Sequence, residues 1–111
     1  NAAISPKADG GKRLGIMGTD RAVWQQVFNV NFFSTALLIR GLIEELAAAK
    51  GAVINVTSIA GMRVHPFAGS AYATSKAALA SLTREMAWAN TYSAGRVTDR
   101  VRRICGRKHR R

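Results

Sequence analysis

The sequence predicts an α/β fold in which helices cover a parallel sheet. Two stretches with helical periodicity, residues 19–50 and 70–90, flank one short run of mostly apolar, β-branched residues, Ala52–Thr57. A helix, a buried strand and a second helix in this order are typical of layered α/β domains. At 111 residues, the chain has room for one domain with a sizeable core.

The first half of the chain is predicted to hold a loop and one long helix. Residues 1–4 are similar to the end of a strand, and residues 5–18 form a loop by composition, with four glycines and one proline. The helix should begin near Thr19-Asp20, where a short polar side chain can cap it. Apolar residues then recur at three- and four-residue steps to about Lys50, and Gly51 should end the helix.

The second half of the chain is predicted to hold a strand, a loop and a helix. Ala52–Thr57 is nearly continuously apolar, which predicts a strand buried on both faces. Residues 58–69 form a loop with glycine and proline. The helix over residues 70–90 has many alanine and serine side chains, which permit close approach of another helix.

The net charge of +11 is concentrated near the C-terminal end. Residues 95–111 contain eight Lys and Arg against Asp99 alone, whereas residues 1–94 contain nine against five acidic residues. We therefore expect a folded portion over residues 1–94 and a basic tail over residues 95–111 that is disordered or non-native. A nucleic-acid or anionic-surface binder acting through this tail is an alternative function. Because no aromatic residues interleave the tail to stack on bases, we expect no nucleic-acid partner.

Cysteine usage and hydropathy bear on where the protein resides. Cys105 is the only cysteine, so an internal disulfide is impossible and a reducing compartment fits. The longest apolar stretch, residues 27–39, is too short and too polar to span a bilayer. The sequence does not open with a basic and then apolar leader. We expect a cytoplasmic protein with no membrane partner, and the scattered His and Cys residues predict no metal site.

Tyr72 and Lys76 are the main candidates for chemistry. They are four residues apart in a helical stretch and therefore project from one face, one turn apart. A free phenol loses its proton only at about pH 10, so a tyrosine acting as an acid or base near neutral pH needs a fixed cation beside it. Taken alone, the pair equally describes a half-buried tyrosine beside a solvated lysine. Ser58 adds a hydroxyl at the carboxyl end of the predicted strand, where open α/β sheets bind ligands.

Together these motifs resemble the short-chain dehydrogenase/reductase family. Asn55-Val56-Thr57-Ser58 is similar to its Asn-x-Ser-Ser strand end, and Tyr72 to Lys76 matches its Tyr-x-x-x-Lys motif. Trp24 followed by Asn31 resembles the helix that carries the family's active-site asparagine. Asn1-Ala2-Ala3 is similar to the remainder of an Asn-Asn-Ala-Gly motif. The resemblance covers residues 1 to about 90.

The resemblance implies a partial Rossmann-like, doubly wound parallel sheet. It also implies an internal segment without the N-terminal cofactor-binding strands and the C-terminal strands. The implied activity is hydride transfer between NAD or NADP and a small-molecule alcohol or carbonyl, in a homo-oligomer of two or four subunits. Because the chain contains no Gly-x-x-x-Gly-x-Gly sequence, we expect it to be inactive alone. The alternative is an inactive piece that only contributes helices to subunit contacts.

The family's catalytic residues carry over to four positions. Tyr72 would be the acid/base, and Lys76 would favour loss of its proton and bind the nicotinamide ribose. Ser58 would hold the substrate oxygen as charge develops on it. Asn31 would anchor a water that relays protons towards Lys76. Asn31 and Asn55 are poor helix and strand formers in apolar surroundings, so each has a polar role, and hydrogen bonding to the backbone is as good an explanation as catalysis.

The cofactor-binding residues that the resemblance implies are Asn1, Ala2, Tyr72 and Lys76. For Asn1, a structural role is the more natural expectation. His65 lies in the loop between Ser58 and Tyr72, and we consider it a candidate substrate contact, although a lone loop histidine is more often only solvated.

Overall fold

The computed structural model describes residues 2–92, with side chains through Ala89, and its regular structure is helical. The first helical stretch comprises α1 (Arg21–Phe28), a π-helical turn (Asn29–Phe33), α2 (Ser34–Gly41) and α3 (Ile43–Ala48). The second is the single helix α4 (Ser70–Tyr92). Short 3₁₀ turns lie in the loops at Asp9–Gly11, Ile16–Gly18 and Ile59–Gly61. The predicted boundary at residue 94 and the basic tail lie outside the described residues.

The predicted N-terminus of the first helix is confirmed. Asp20 caps α1, because its carboxylate accepts a hydrogen bond from the Val23 N–H at 2.9 Å. The helix is not continuous to Lys50, however. A π-helical turn inserts at Asn29–Phe33, and Leu42, with φ −110° and ψ 9°, separates α2 from α3. Apolar periodicity indicates which residues share a helix face, but it does not reveal such local changes in hydrogen bonding.

The end of α3 is formed by Lys50 and Gly51 together. Lys50 has the left-handed conformation, with φ +50°, and its N–H donates to the Ala47 carbonyl at 3.1 Å. The Gly51 N–H donates to the Leu46 carbonyl at 2.7 Å. These two bonds make a Schellman motif. Gly51 therefore follows the left-handed residue instead of occupying that position itself.

The predicted strand Ala52–Thr57 is an extended segment without a ladder to any other part of residues 2–92. Its exposure alternates: Val53 and Asn55 are half-buried, whereas Ile54 and Val56 are 66% and 47% exposed. The prediction of burial on both faces is thus wrong for the part of the chain that the structure describes. A strand needs neighbouring strands to pair with its backbone, so the partial parallel sheet is not confirmed.

The core lies where α4 packs against α1, the π-helical turn and the turn Ile59–Gly61. The face of α4 that is buried repeats every four residues and consists of Ala71, Ser75, Leu79 and Thr83. Opposite this face, Val27 is fully buried and Asn31 is 1% exposed. Small side chains on α4 let the two helical stretches come close together, which places Asn31 beside the helix that carries Tyr72 and Lys76.

The second half of the first helical stretch is largely uncovered. Neither α2 nor α3 contains a buried residue. Several large apolar side chains there are exposed: Phe33, Leu37, Leu38, Leu42 and Ile43. Within residues 2–92, no helix is long and apolar enough to cross a membrane, and no three His, Cys, Asp or Glu side chains gather to hold a metal ion.

Candidate active site

Helix α4 presents Tyr72 and Lys76 one turn apart near its N-terminal end. Tyr72 is half-buried, whereas Lys76 is only 3% exposed. The Lys76 Nζ donates to the Val56 carbonyl at 3.0 Å and lies 5.9 Å from the centroid of the Tyr72 ring. A buried ammonium needs hydrogen-bond acceptors, and a lysine has three N–H donors. The bond to Val56 uses one of them, and Lys76 is not among the residues that line the cavity at which Tyr72 lies.

Ser58 is placed by the turn that follows the extended segment. It stands in front of the turn Ile59–Gly61, and its Oγ accepts a hydrogen bond from the Ala60 N–H at 3.2 Å. The hydroxyl proton of Ser58 is not used by that bond, so it remains available to donate. Ser58 and Tyr72 line the same open cavity of about 240 Å³. A hydroxyl donor and a phenol therefore meet at one surface.

Gly61 determines how closely this turn approaches α4. A Cβ atom at Gly61 would lie 2.7 Å from the Ala77 nitrogen and 2.8 Å from the Lys76 carbonyl carbon. Both contacts are with helix backbone, which cannot move aside. The absence of a side chain at Gly61 therefore lets the turn that follows Ser58 rest directly on the backbone of α4 at Lys76–Ala77.

Asn31 lies in the π-helical turn and has both side-chain polar atoms occupied. Its Oδ1 accepts from the Ile4 N–H at 2.8 Å, and its Nδ2 donates to the Ile4 carbonyl at 2.9 Å. The same Nδ2 donates to Ser75 Oγ at 3.1 Å, and Ser75 Oγ donates to the Tyr72 carbonyl at 2.8 Å. The Asn31 side chain thus fixes the N-terminal segment and the Tyr72 turn of α4. It does not line the cavity, and its part in a proton relay stays a prediction.

Asn55 makes a comparable contact with α4, about two turns further along the helix than the contact from Asn31. Its Nδ2 donates to Thr83 Oγ1 at 2.9 Å, and Thr83 Oγ1 donates to the Leu79 carbonyl at 2.8 Å. Together with the bond from Lys76 to Val56, this contact holds the extended segment along α4. The Asn55 side chain and the Val56 carbonyl therefore help to position Ser58 relative to Tyr72.

The two cofactor-binding positions at the N-terminus are not brought to this cavity. Asn1 lies outside the described residues, and Ala2 is exposed and is not among the cavity-lining residues. Their predicted role stays a prediction. His65, by contrast, lines the cavity together with Ser58 and Tyr72, so the structure brings the candidate substrate contact to the candidate catalytic residues.

Sequence reasoning missed the contribution of the N-terminal loop, residues 5–18. Ser5 and Lys7 from this loop line the cavity beside His65. Three hydrogen bonds join the loop to the chain just before Tyr72: Lys7 Nζ to the Phe67 carbonyl, Arg13 Nε to the Ala68 carbonyl at 2.7 Å, and the Ser70 N–H to the Leu14 carbonyl at 3.0 Å. These contacts connect positions about sixty residues apart, and nothing in the local pattern of a basic, glycine-rich loop indicates them.

A half-buried tyrosine with a lysine one turn away and a serine at the same cavity has the groups of an acid–base site for an alcohol or a carbonyl. The family model of the short chain dehydrogenases matches residues 1–98. The chain therefore belongs to the short-chain dehydrogenase family, whose characterised members are oxidoreductases.

Two kinds of relative place the chain within this family. It is 60% identical over 87 residues to the protein FixR of Bradyrhizobium diazoefficiens, which covers 78% of this chain and 31% of FixR. Among solved structures, a Brucella ovis oxidoreductase of the family, crystallised with a partially ordered NAD, is 65% identical with a TM-score of 0.77. That similarity covers 82% of this chain and 41% of the Brucella ovis protein.

A more distant solved structure has the same fold. The 3-oxoacyl-[acyl-carrier protein] reductase of Brucella melitensis with bound NAD is 30% identical, with a TM-score of 0.78 over 91% of this chain and 37% of its own. The chain spans about a third of the length of the curated relatives it matches.

Proposed function

We propose that this chain forms the catalytic segment of an oxidoreductase that uses NAD or NADP and acts on an alcohol or carbonyl. The observation that carries the proposal is the cavity shared by Ser58 and Tyr72, with the buried Lys76 ammonium one helical turn from the phenol. The NAD bound to the Brucella relatives supports the choice of cofactor. The complete parallel sheet and a homo-oligomeric assembly belong to the same proposal.

The donors of the site suit the nicotinamide end of such a cofactor. Lys76 has two N–H donors left after its bond to Val56, and Tyr72 adds a hydroxyl one turn away, so these two residues would hold the hydroxyls of a ribose. When bound, the cofactor supplies or accepts the hydride. The chain contains no Gly-x-x-x-Gly-x-Gly sequence to hold a pyrophosphate, so the fit concerns the nicotinamide ribose alone.

Residues of this chain would transfer the proton that the substrate oxygen loses or gains. In the direction of alcohol oxidation, the substrate loses a hydride from carbon and a proton from oxygen, and the Tyr72 phenolate takes that proton. In the direction of reduction, the Tyr72 hydroxyl gives the proton back. The Lys76 ammonium lies 5.9 Å from the centroid of the Tyr72 ring, and the hydroxyl proton of Ser58 would donate to the substrate oxygen as negative charge develops on it.

The test uses a chimera in which residues 2–92 of this chain replace the matching segment of the Brucella ovis oxidoreductase. The chimera should bind NADH or NADPH saturably and oxidise it in the presence of at least one compound from a panel of aldehydes and ketones. Tyr72→Phe should abolish this oxidation with little loss of fold, because phenylalanine keeps the packing and removes the hydroxyl that exchanges the proton. Near-normal rates in this variant from neutral to alkaline pH would refute the acid/base assignment.

An inactive segment that supplies only packing surfaces is a second candidate. It is favoured by one observation, the exposed apolar side chains of α2 and α3, which are typical of surfaces covered by another chain or by the rest of the protein. The same chimera separates the two candidates. A chimera that assembles and binds no nicotinamide cofactor supports the inactive segment.

A further inference from the structure

We infer that the substrate of this site carries an anionic group, a carboxylate or a phosphate, which Lys7 and His65 bind. The inference rests on the proposed function, since it concerns the same cavity. The nine residues that line the cavity include one lysine, Lys7, and one histidine, His65, and none of the nine is acidic. A cavity with this lining favours an anion over a neutral or cationic molecule.

Lys7 is held at the cavity by the main chain. Its Nζ donates to the Phe67 carbonyl, which fixes a side chain that would otherwise be mobile at the surface. An ammonium has three donors, so two remain for a ligand.

His65 supplies a second donor next to Lys7. Its Nδ1 accepts from the Phe67 N–H at 3.4 Å, which leaves Nε2 as the ring nitrogen that can donate to a ligand. The imidazole also packs against the Phe67 ring, with centroids 5.9 Å apart. The backbone of Phe67 thus holds both groups, its carbonyl fixing Lys7 and its N–H fixing His65.

The cavity therefore has two sets of polar groups with different tasks. Ser58 and Tyr72 suit the oxygen that gains or loses a proton, whereas Lys7 and His65 lack a role in that step and suit a fixed negative charge. The substrate that these two sets of groups suit is an oxo or hydroxy acid, or an oxo or hydroxy phosphate.

The experiment measures binding to the chimera, saturated with cofactor, by calorimetry with matched pairs of probes. Levulinate is compared with methyl levulinate for a carboxylate, and dihydroxyacetone phosphate with dihydroxyacetone for a phosphate. We expect at least one anion to bind roughly tenfold more tightly than its neutral counterpart, as one charge-assisted hydrogen bond provides. The pair that shows the difference identifies which anionic group is recognised.

Variants of Lys7 separate a binding role from a structural one. Lys7→Ala should remove the preference for the anion and leave binding of the neutral probe unchanged, whereas Lys7→Arg should keep most of the preference. Lys12→Ala is the matched control, since Lys12 is exposed in the same loop and does not line the cavity. His65→Gln should reduce the preference by a smaller factor.

Three results would overturn the inference: equal affinity for each anion and its neutral counterpart, no binding of either anion, or equal losses for both probes in Lys7→Ala. The last would show that Lys7 only ties the two loops together. Failure of this inference can be distinguished from failure of the proposed function. Reduction of neutral carbonyls with normal cofactor binding would keep that function and refute the anion site. Anion binding without any cofactor oxidation would refute the function.

Discussion

At the scale of single residues, Lys76 has both a structural contact and a proposed chemical role. It is 3% exposed, its Nζ donates to the Val56 carbonyl, and the same atom lies 5.9 Å from the Tyr72 ring. Burial of an ammonium without partners would cost far more than a small domain can tolerate. Lys76 therefore fastens the extended segment through Val56 and lies near the Tyr72 ring, and binding of a ligand by its remaining donors is the role that we propose.

Lys76→Ala in the chimera should reduce both cofactor affinity and turnover. The lost donors to the ribose should weaken cofactor binding by roughly tenfold or more, and loss of the cation beside Tyr72 should lower the rate by about a hundredfold. Cofactor titration and steady-state kinetics measure the two effects separately. Arg84→Ala, which removes an exposed cation from the same helix, is the control and should change neither.

The two readouts for Lys76→Ala distinguish the two roles given to this residue. Normal cofactor affinity with a reduced rate would remove the ribose contact from the assignment. If affinity and rate both stayed normal, the interpretation of the whole Tyr72-to-Lys76 stretch would be wrong.

At the scale of elements, the site depends on one close approach between a turn and a helix. The turn Ile59–Gly61 rests on the backbone of α4 at Lys76–Ala77, and a Cβ atom at Gly61 would lie within 3 Å of two backbone atoms there. The cap from Ser58 to Ala60 belongs to the same turn. Any displacement of the turn is therefore transmitted to Ser58, across the cavity from Tyr72.

Gly61→Ala should therefore destabilise the chimera by about 2 kcal/mol, since the added methyl group meets backbone that cannot yield. Turnover should fall further than the loss of folded protein explains, because Ser58 moves away from Tyr72. Gly41→Ala is the matched control: nothing lies within 4 Å of a Cβ atom there, so stability should stay the same or rise slightly. Urea unfolding and turnover measured on the same samples check both effects, and equal behaviour of the two variants would contradict the close packing.

The elements also differ in how far the sequence predicted them. The caps and spans of the helices follow from local residues, and Asp20 and the alanine-rich helix α4 were predicted for that reason. The strand could not be confirmed, because pairing depends on other segments and no ladder forms within residues 2–92. Motif order predicts Ser58 and Tyr72 at one site, with His65 only a candidate contact, whereas Lys7 was missed because its position depends on contacts about sixty residues away.

At the scale of the whole molecule, residues 2–92 leave two apolar surfaces uncovered. One is the outer face of α2 and α3, where Leu37 and Leu38 are each 62% exposed. The other is the outer face of the extended segment, where Ile54 is 66% exposed. Such surfaces are typical of regions that pack against further structure. The described part of the chain buries few large side chains of its own, with Val27 and Leu79 the largest apolar ones.

The 111-residue chain by itself should therefore be aggregated, loosely folded or dependent on a partner, and it should show no nicotinamide turnover. The apolar faces favour association, the backbone groups of residues 52–57 lack a strand to pair with in the described structure, and each such group costs about 1–3 kcal/mol when buried. Because the chain contains no Gly-x-x-x-Gly-x-Gly sequence, a cofactor's pyrophosphate also lacks the glycine-rich turn and helix N-terminus that commonly bind it. Size-exclusion chromatography, thermal unfolding and calorimetry with NADH and NADPH test this expectation, with the chimera as the folded reference. A monomer with a sharp, cooperative unfolding transition and saturable cofactor binding would contradict this expectation. It would show that these helices fold and bind cofactor with nothing covering their exposed apolar faces.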